Sequence, residues 1–382
     1  MFRLLLIVLA FIVYGSLYPF RFHGAPHGAS PLAILLHSWP ARVDRFVWRD
    51  ACVNVLLYFP LGLSATLAAA RYLPRLAAAI GAVVLGVALS ASIEMLQLFD
   101  TSRTCSLLDV ACNFSGALAG ALAALAFDRQ IRRIGQHQRS HHGAGGGLLL
   151  ACCWAGYQLY PFIPHLGRGY LRQTVARLVA TPISPVEIYA SAAEWFAFAL
   201  VLRALTGRPR AIWLALAMLC LPLRLVIMER GLAPAEIIGA ILAMIVWTYP
   251  AVGTRLRGGA IALAIAVVLR ELTPFDFSGP AHAMSWLPFS ATLDGERLNA
   301  ALILLRKSFD YGALVWLLRG AGIAYARGGA LTAAGLLALE VAQRYMPGRQ
   351  PEFTDSMIAL ILAAVFWGLE TSRRRAQAAG PR

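Results

Sequence analysis

Glu94 to Asp109 reads E-M-L-Q-L-F-D-T-S-R-T-C-S-L-L-D, and its polar residues recur from Glu340 to Asp355 in E-V-A-Q-R-Y-M-P-G-R-Q-P-E-F-T-D. In both stretches Glu, Gln, Arg and Asp stand at relative positions 0, 3, 9 and 15. Two apolar segments flank each copy. Ionisable groups held at fixed spacing in apolar surroundings are costly, so they serve a structural or functional purpose. A worn copy lies between the two. There Leu221 and Arg224 take the Glu and Gln positions, while Arg230 and Glu236 keep the Arg-to-acid spacing.

The 382 residues are 59% hydrophobic and only 14% charged, well below the roughly 25% charge of soluble domains. The counting unit is therefore the membrane-spanning helix of about 20 residues. The net charge of +15 rests on 34 Lys and Arg, of which only Lys307 is Lys. In such a chain this reflects cytoplasmic loops. No basic stripe interleaved with aromatics is present, which argues against nucleic-acid binding. The six cysteines, Cys52, Cys105, Cys112, Cys152, Cys153 and Cys220, sit in or beside apolar segments without metal-like spacing.

The first apolar segment, Leu4 to Phe20, lacks an A-x-A-like cleavage site and ends in a sequence that repeats. Leu17-Tyr18-Pro19-Phe20 returns as Leu159-Tyr160-Pro161-Phe162 and as Leu272-Thr273-Pro274-Phe275. It therefore reads as a retained first transmembrane helix. Further spans are predicted at about 51–70, 76–99, 107–127, 147–164, 187–206, 211–228, 233–250, 259–275, 299–318, 328–345 and 354–370. The fold class is an all-α polytopic membrane protein of about 12 transmembrane helices, arranged as three parallel four-helix repeats. The units are 1–128, 147–258 and 259–382, with a basic, Gly-rich linker at 129–146. His137, His141 and His142 fall in that linker, whose glycines argue against a metal site. Short pieces at Pro31–Trp39, Tyr170–Val179 and Met284–Phe289 are predicted to lie in the membrane interface or to re-enter the bundle. The span at 299–318 carries Arg306, Lys307 and Asp310. They form an internal polar cluster or, in the preferred reading, stay at the interface with their stems snorkelling.

Charge placement predicts orientation. The N-terminus and the even-numbered loops hold 18 basic residues against two acids, Asp128 and Glu370. The positive-inside rule puts that side, with both termini, in the cytoplasm. The repeated stretches then face outward.

Glu94 and Gln97 share one helix face, Arg103 lies in the turn, and Asp109 and Asn113 share a face of the next helix. Cys112, Gly116 and Gly120 follow at steps of four, which lets helix backbones approach closely. In a structural reading Arg103 pairs with Asp109 and the network fixes a helical hairpin. In a functional reading the cluster binds a polar headgroup or a proton-coupled substrate, and Arg103→Ala weakens binding without harming insertion. Both readings stay open. The ligand-binding candidates are Glu94, Gln97, Arg103, Asp109 and Asn113, with Glu340, Gln343, Arg349 and Asp355 in the last unit. Position 359, matching Asn113, is Ala. Glu94 and Asp109 have the types of an acid–base pair, but no nucleophile triad, HExxH or phosphate loop accompanies them.

The stretch from Glu94 to Asn113 resembles the VanZ-like family of bacterial membrane proteins, whose namesake is a glycopeptide-resistance accessory. The matching residues are Tyr18-Pro19-Phe20, Asp50 with Asn54, Pro60-Leu61-Gly62, Glu94, Gln97, Arg103, Asp109, Asn113 and Gly116. The resemblance is clear over 1–127, partial over about 259–370 and degenerate over about 147–250. It implies a bacterial inner-membrane protein of the cell envelope and carries no established reaction. The expected function is binding of a lipid-linked or amphiphilic ligand, related to envelope polysaccharide or glycopeptide resistance, without catalysis. The expected partners are membrane lipids or lipid-linked envelope precursors, with no nucleic acid, cofactor or metal. The alternatives are a transporter of a small or amphiphilic solute and a membrane-embedded hydrolase or transferase of polyprenyl-phosphate lipids.

Overall fold

The computed structural model describes residues 2–18, 20, 22–24, 30–40, 45–100, 105–137, 144–160, 165, 167–207, 211–227, 230–249, 256–286, 288–289 and 297–378. The named elements among them are all α-helices, and two isolated bridges join Phe22 to Asp100 and Ser285 to Glu352. The chain divides into two compact units, Met1–Ile134 and Gly135–Arg382.

The first unit holds α1 (Phe2–Leu17), α2 (Pro31–Leu36), α3 (Arg45–Ala69), α4 (Arg75–Gln97) and most of α5 (Leu107–His137). Its core gathers Ile12, Leu17, Tyr58, Leu61, Ile93 and Ala117. Glycine sets how closely the helices approach. A Cβ on Gly116 would collide with the Val55 carbonyl, one on Gly120 with the Phe59 carbonyl, and one on Gly62 with the Ala117 carbonyl. The spacing of small residues on α5 thus marks a real seam, and Gly62 of the Pro60-Leu61-Gly62 element is its counterpart on α3. Partner numbers rise together along α3 and α5, so the two helices run parallel, with α4 antiparallel between their ends in sequence. α5 continues to His137, ten residues beyond the predicted end at 127, because R-Q-I-R-R-I-G-Q-H is built mostly of residues a helix tolerates. His141 and His142 lie outside the described residues.

The second unit holds α6 (Ala144–Leu159), α7 (Arg168–Ala180), α8 (Pro185–Thr206), α9 (Ala211–Met218), α10 (Cys220–Arg224), α11 (Pro234–Thr248) and α12 (Leu256–Leu272). It continues with α13 (Arg297–Gly320), α14 (Tyr325–Gln343) and α15 (Thr354–Ala378). The predicted span at 211–228 is broken into α9 and α10. Pro222 has no N–H for the Met218 carbonyl, which is where α9 stops. Of the interface pieces, Pro31–Trp39 contains α2 and Tyr170–Val179 lies within α7, which exposes Leu171, Val175 and Val179 along one face. The described residues of Met284–Phe289 are not helical; Ser285 instead bonds the turn between α14 and α15, donating to Pro351 O at 2.9 Å and accepting from Phe353 N at 3.1 Å.

Five helical stretches among the described residues are long and apolar enough to cross a membrane: Asp50–Ala69, Arg75–Gln97, Leu107–Ala126, Pro185–Thr206 and Thr354–Thr371. Four shorter apolar helices accompany them, at Leu5–Leu17, Gly146–Leu159, Ala211–Arg224 and Pro234–Thr248. α13 is long enough but carries Arg306, Lys307, Asp310 and Arg319.

The x-P-F sequence makes one turn twice over. The residue before the proline donates to the carbonyl four back in all three copies: Tyr18 to Tyr14 (2.9 Å), Tyr160 to Gly156 (2.8 Å) and Thr273 to Leu269 (3.0 Å). Phe20 N then reaches Leu17 O at 2.8 Å, and Phe275 N reaches Leu272 O at 2.5 Å. Both phenylalanines adopt the left-handed region, φ 63° and 64°, which is unfavourable for a bulky side chain. Around Phe20 an aromatic cluster of Tyr14, Tyr18 and Phe22 offsets that cost. The counterpart Phe162 lies outside the described residues.

Candidate functional site

In the first unit, the end of α4 is tied to the start of α5 and to the end of α1. Glu94, 4% exposed, accepts from Ser106 N at 2.8 Å through Oε2. Ser106 in turn caps α5, its hydroxyl accepting weakly from Asp109 N at 3.4 Å. Gln97 donates through Nε2 to Ser16 O at 2.7 Å, at the end of α1. One turn deeper, Asn113 donates to Ser90 Oγ at 2.9 Å. Glu94, Gln97 and Asn113 are buried and Asp109 is half-buried. Arg103 lies outside the described residues.

The last copy repeats the Glu and Gln bonds of this frame. Glu340 Oε2 accepts from Glu352 N at 3.0 Å, again twelve residues on. Gln343 donates to Glu271 O at 3.0 Å, and Glu271, like Ser16, stands three residues before the x-P-F proline. The spacing of three between Glu and Gln thus has a physical meaning. It puts one side chain on the turn ahead and the other on the exposed carbonyls of an earlier helix end, which have no intrahelical partner. Replacing Gln97 or Gln343 with Ala is expected to cost about 1 kcal/mol each, the net value of one such bond, read as a lowered unfolding midpoint in detergent.

The arginines of the worn and last copies bond backbone rather than the acid six residues on, while the expected pairing of Arg103 with Asp109 lies outside the described residues. Arg349 donates to Glu271 O (3.3 Å) and Thr273 O (3.1 Å), and Arg230 to Tyr157 O (2.5 Å) and weakly to Gln158 O (3.4 Å). Neither pairs with the acid six residues on. The reason is again the helix end, where several carbonyls stand close enough for one guanidinium. The acids find other cations. Asp355, 1% exposed, takes Lys307 Nζ at 2.5 Å and the Tyr311 hydroxyl at 2.6 Å. Glu236 is held by both Nη atoms of Arg224, at 2.8 and 3.0 Å, so the residue at the worn Gln position has become a bidentate clamp.

Lys307 and Asp310 are therefore internal. The preferred interfacial reading fails because Asp355, Glu194 and Arg270 supply partners that pattern along α13 alone does not reveal. Arg270, at the end of α12, pairs with Glu194 on α8 and reaches Asp310 on α13 at 3.6 Å and Glu187 at 3.4 Å. The sequence signal for this network was the polar residue three before each x-P-F proline, Ser16, Gln158 and Glu271, together with the adjacent Arg270. In the loop after α12, fully exposed Asp276 accepts from Ser278 N at 3.0 Å, and that bond with the Ser278 hydroxyl holds its carboxyl below the usual range.

Apolar helices that expose Leu76, Ile80, Val84 and Leu122 to the surroundings, while burying Glu94, Asn113 and Asp355, define an integral membrane protein with polar sites inside its helix bundles. Residues 1–128, a third of the chain, match the family model described as VanZ/LLP1. The match covers the unit in which Glu94, Gln97, Asp109 and Asn113 lie together. No curated protein and no solved structure matches the chain.

Proposed function

We propose that the protein is a bacterial inner-membrane protein of the cell envelope that binds a lipid-linked or amphiphilic ligand at the outward-facing polar cluster of its first unit, without catalysing a reaction. The reading includes twelve spans in three parallel units of four, with both termini in the cytoplasm. The observation that carries it is the contrast between two copies of one frame. Both keep the Glu and Gln bonds, yet only the first adds Ser90 and Asn113 beneath them, where the last has Leu336 and Ala359. A polar pair unnecessary for the frame is the part available for binding. The VanZ/LLP1 match at residues 1–128 and the excess of basic residues on one side support the placement in the envelope membrane.

Mass spectrometry of lipids that co-purify with the full chain tests this. The wild type is expected to retain one lipid class enriched over the bulk membrane. Asn113→Ala, which installs the residue of the last copy, is expected to lose that enrichment at unchanged membrane yield. A wild-type lipid profile identical to the bulk membrane overturns the proposal.

A further inference from the structure

We propose that the second unit binds a proton, which Glu194 on α8 and Asp310 on α13 share between their carboxyl groups. The site is independent of the ligand reading of the first unit and lies outside residues 1–128.

Arg270 does not reach hydrogen-bond length to every acid around it. Its Nη1 bonds Glu194 Oε1, its Nη2 stands 3.4 Å from Glu187 Oε2, and Asp310 Oδ2 lies 3.6 Å from Nη1. Asp310 is 5% exposed, and its buried Oδ1 has no partner. Among the described residues, no N–H or O–H donor therefore gives the Asp310 side chain a hydrogen bond. An ionised carboxylate buried without donors is costly. A neutral carboxyl group needs only one acceptor for its O–H. Glu194 supplies it, since the two side chains stand in hydrogen-bonding contact. Two ionised carboxylates are both acceptors and repel; with one proton between them they bond.

The surrounding groups leave that role to the proton. Arg306, one turn before Asp310 on α13, makes no hydrogen bond or ion pair among the described residues and acts on the pair only at longer range, as it does on Tyr157 of α6. Lys307 and the Tyr311 hydroxyl are both committed to Asp355. Arg270 thus holds the remaining negative charge on Glu194. Glu187, 46% exposed, stands two turns before Glu194 on the same helix, about 10 Å along its axis, and marks the end at which the proton exchanges with water. The proton comes from water and returns to it, and no other bond forms or breaks. Its loss leaves Asp310 ionised and draws it across the 3.6 Å gap to Arg270, so protonation is coupled to the packing of α8, α12 and α13.

Infrared spectroscopy of the full chain in nanodiscs, with carbon-13 in the carboxyl groups of aspartate or of glutamate, tests this. The wild type is expected to show a protonated-carboxyl C=O band at neutral pH that fades as pH rises. Asp310→Asn, whose amide N–H takes the place of the shared proton, is expected to lose that band and keep the unfolding midpoint at neutral pH. The folded wild type binds one proton more than the unfolded chain, so its midpoint falls as pH rises above the ordinary carboxyl range, and that of Asp310→Asn falls less. Where Asp310→Asn fails to reach the membrane, Asp310→Leu serves, because it leaves Glu194 to Arg270 alone and must remove the same band. A band on the aspartate label puts the proton on Asp310 and one on the glutamate label puts it on Glu194; either upholds the site if the substitution removes it. A wild type without the band, or a band that survives the substitution, overturns the proposal and leaves the binding reading of the first unit untouched.

Discussion

Arg270→Ala is expected to cost about 3–5 kcal/mol of stability, among the largest effects of any single substitution in this protein. The guanidinium is the only cation in direct contact with Glu194 and Asp310 among the described residues, and both acids are almost fully buried. Removing it leaves two buried carboxylates side by side with no cation in direct contact, Arg306 acting on them only at longer range. The cost lies in the stranded partners, not in the lost pair. Replacing all three together, as Arg270→Met, Glu194→Leu and Asp310→Leu, is therefore expected to recover most of the loss, since an apolar set of similar volume removes the desolvation cost too. Unfolding midpoints in detergent for the single and triple variants check this. A triple variant no more stable than the single one would show that the network does more than satisfy itself.

Gly116→Leu is expected to destabilise the first unit by about 3 kcal/mol or more and to lower its yield in the membrane. The obstacle is backbone. A Cβ at this position meets the Val55 carbonyl, carbonyl carbon and Cα, none of which can rotate away. α3 and α5 must then part, and the level of Asn54 and Asn113 one turn outward opens with them. Gly335 on α14, with nothing near its Cβ position, is the control: Gly335→Ala is expected to be neutral or slightly stabilising through helix propensity. Equal loss in both variants, read by yield and unfolding midpoint, would sink the seam as the cause.

Much of the architecture was legible in advance because it depends on local rules. Apolar length locates the helices to within a few residues in most cases, and the small-residue spacing on α5 marks a face of close approach, whose partner α3 only the packing shows. Apolar length alone hides the break between α9 and α10, which follows from the missing N–H of Pro222. The repeated Glu and Gln signalled a frame, but its partners were not legible, since they are backbone groups. Ser16 O, Glu271 O, Ser106 N and Glu352 N have no letter of their own in the sequence.

By itself the sequence determined which residues had to be dealt with: the Glu, Gln, Arg and acid at 0, 3, 9 and 15, and the charges of α13. Only the tertiary structure decided with whom. Regular spacing invited a pairing of Arg with the acid six residues on, yet Arg349 and Arg230 turned to free carbonyls at helix ends. Asp355 and Glu236 took cations from elsewhere, Lys307 on α13 and Arg224 on α10. The physical reason is that a buried charge binds the nearest group able to offset its desolvation. Nearness inside a helical bundle is set by how helices pack, not by distance along the chain.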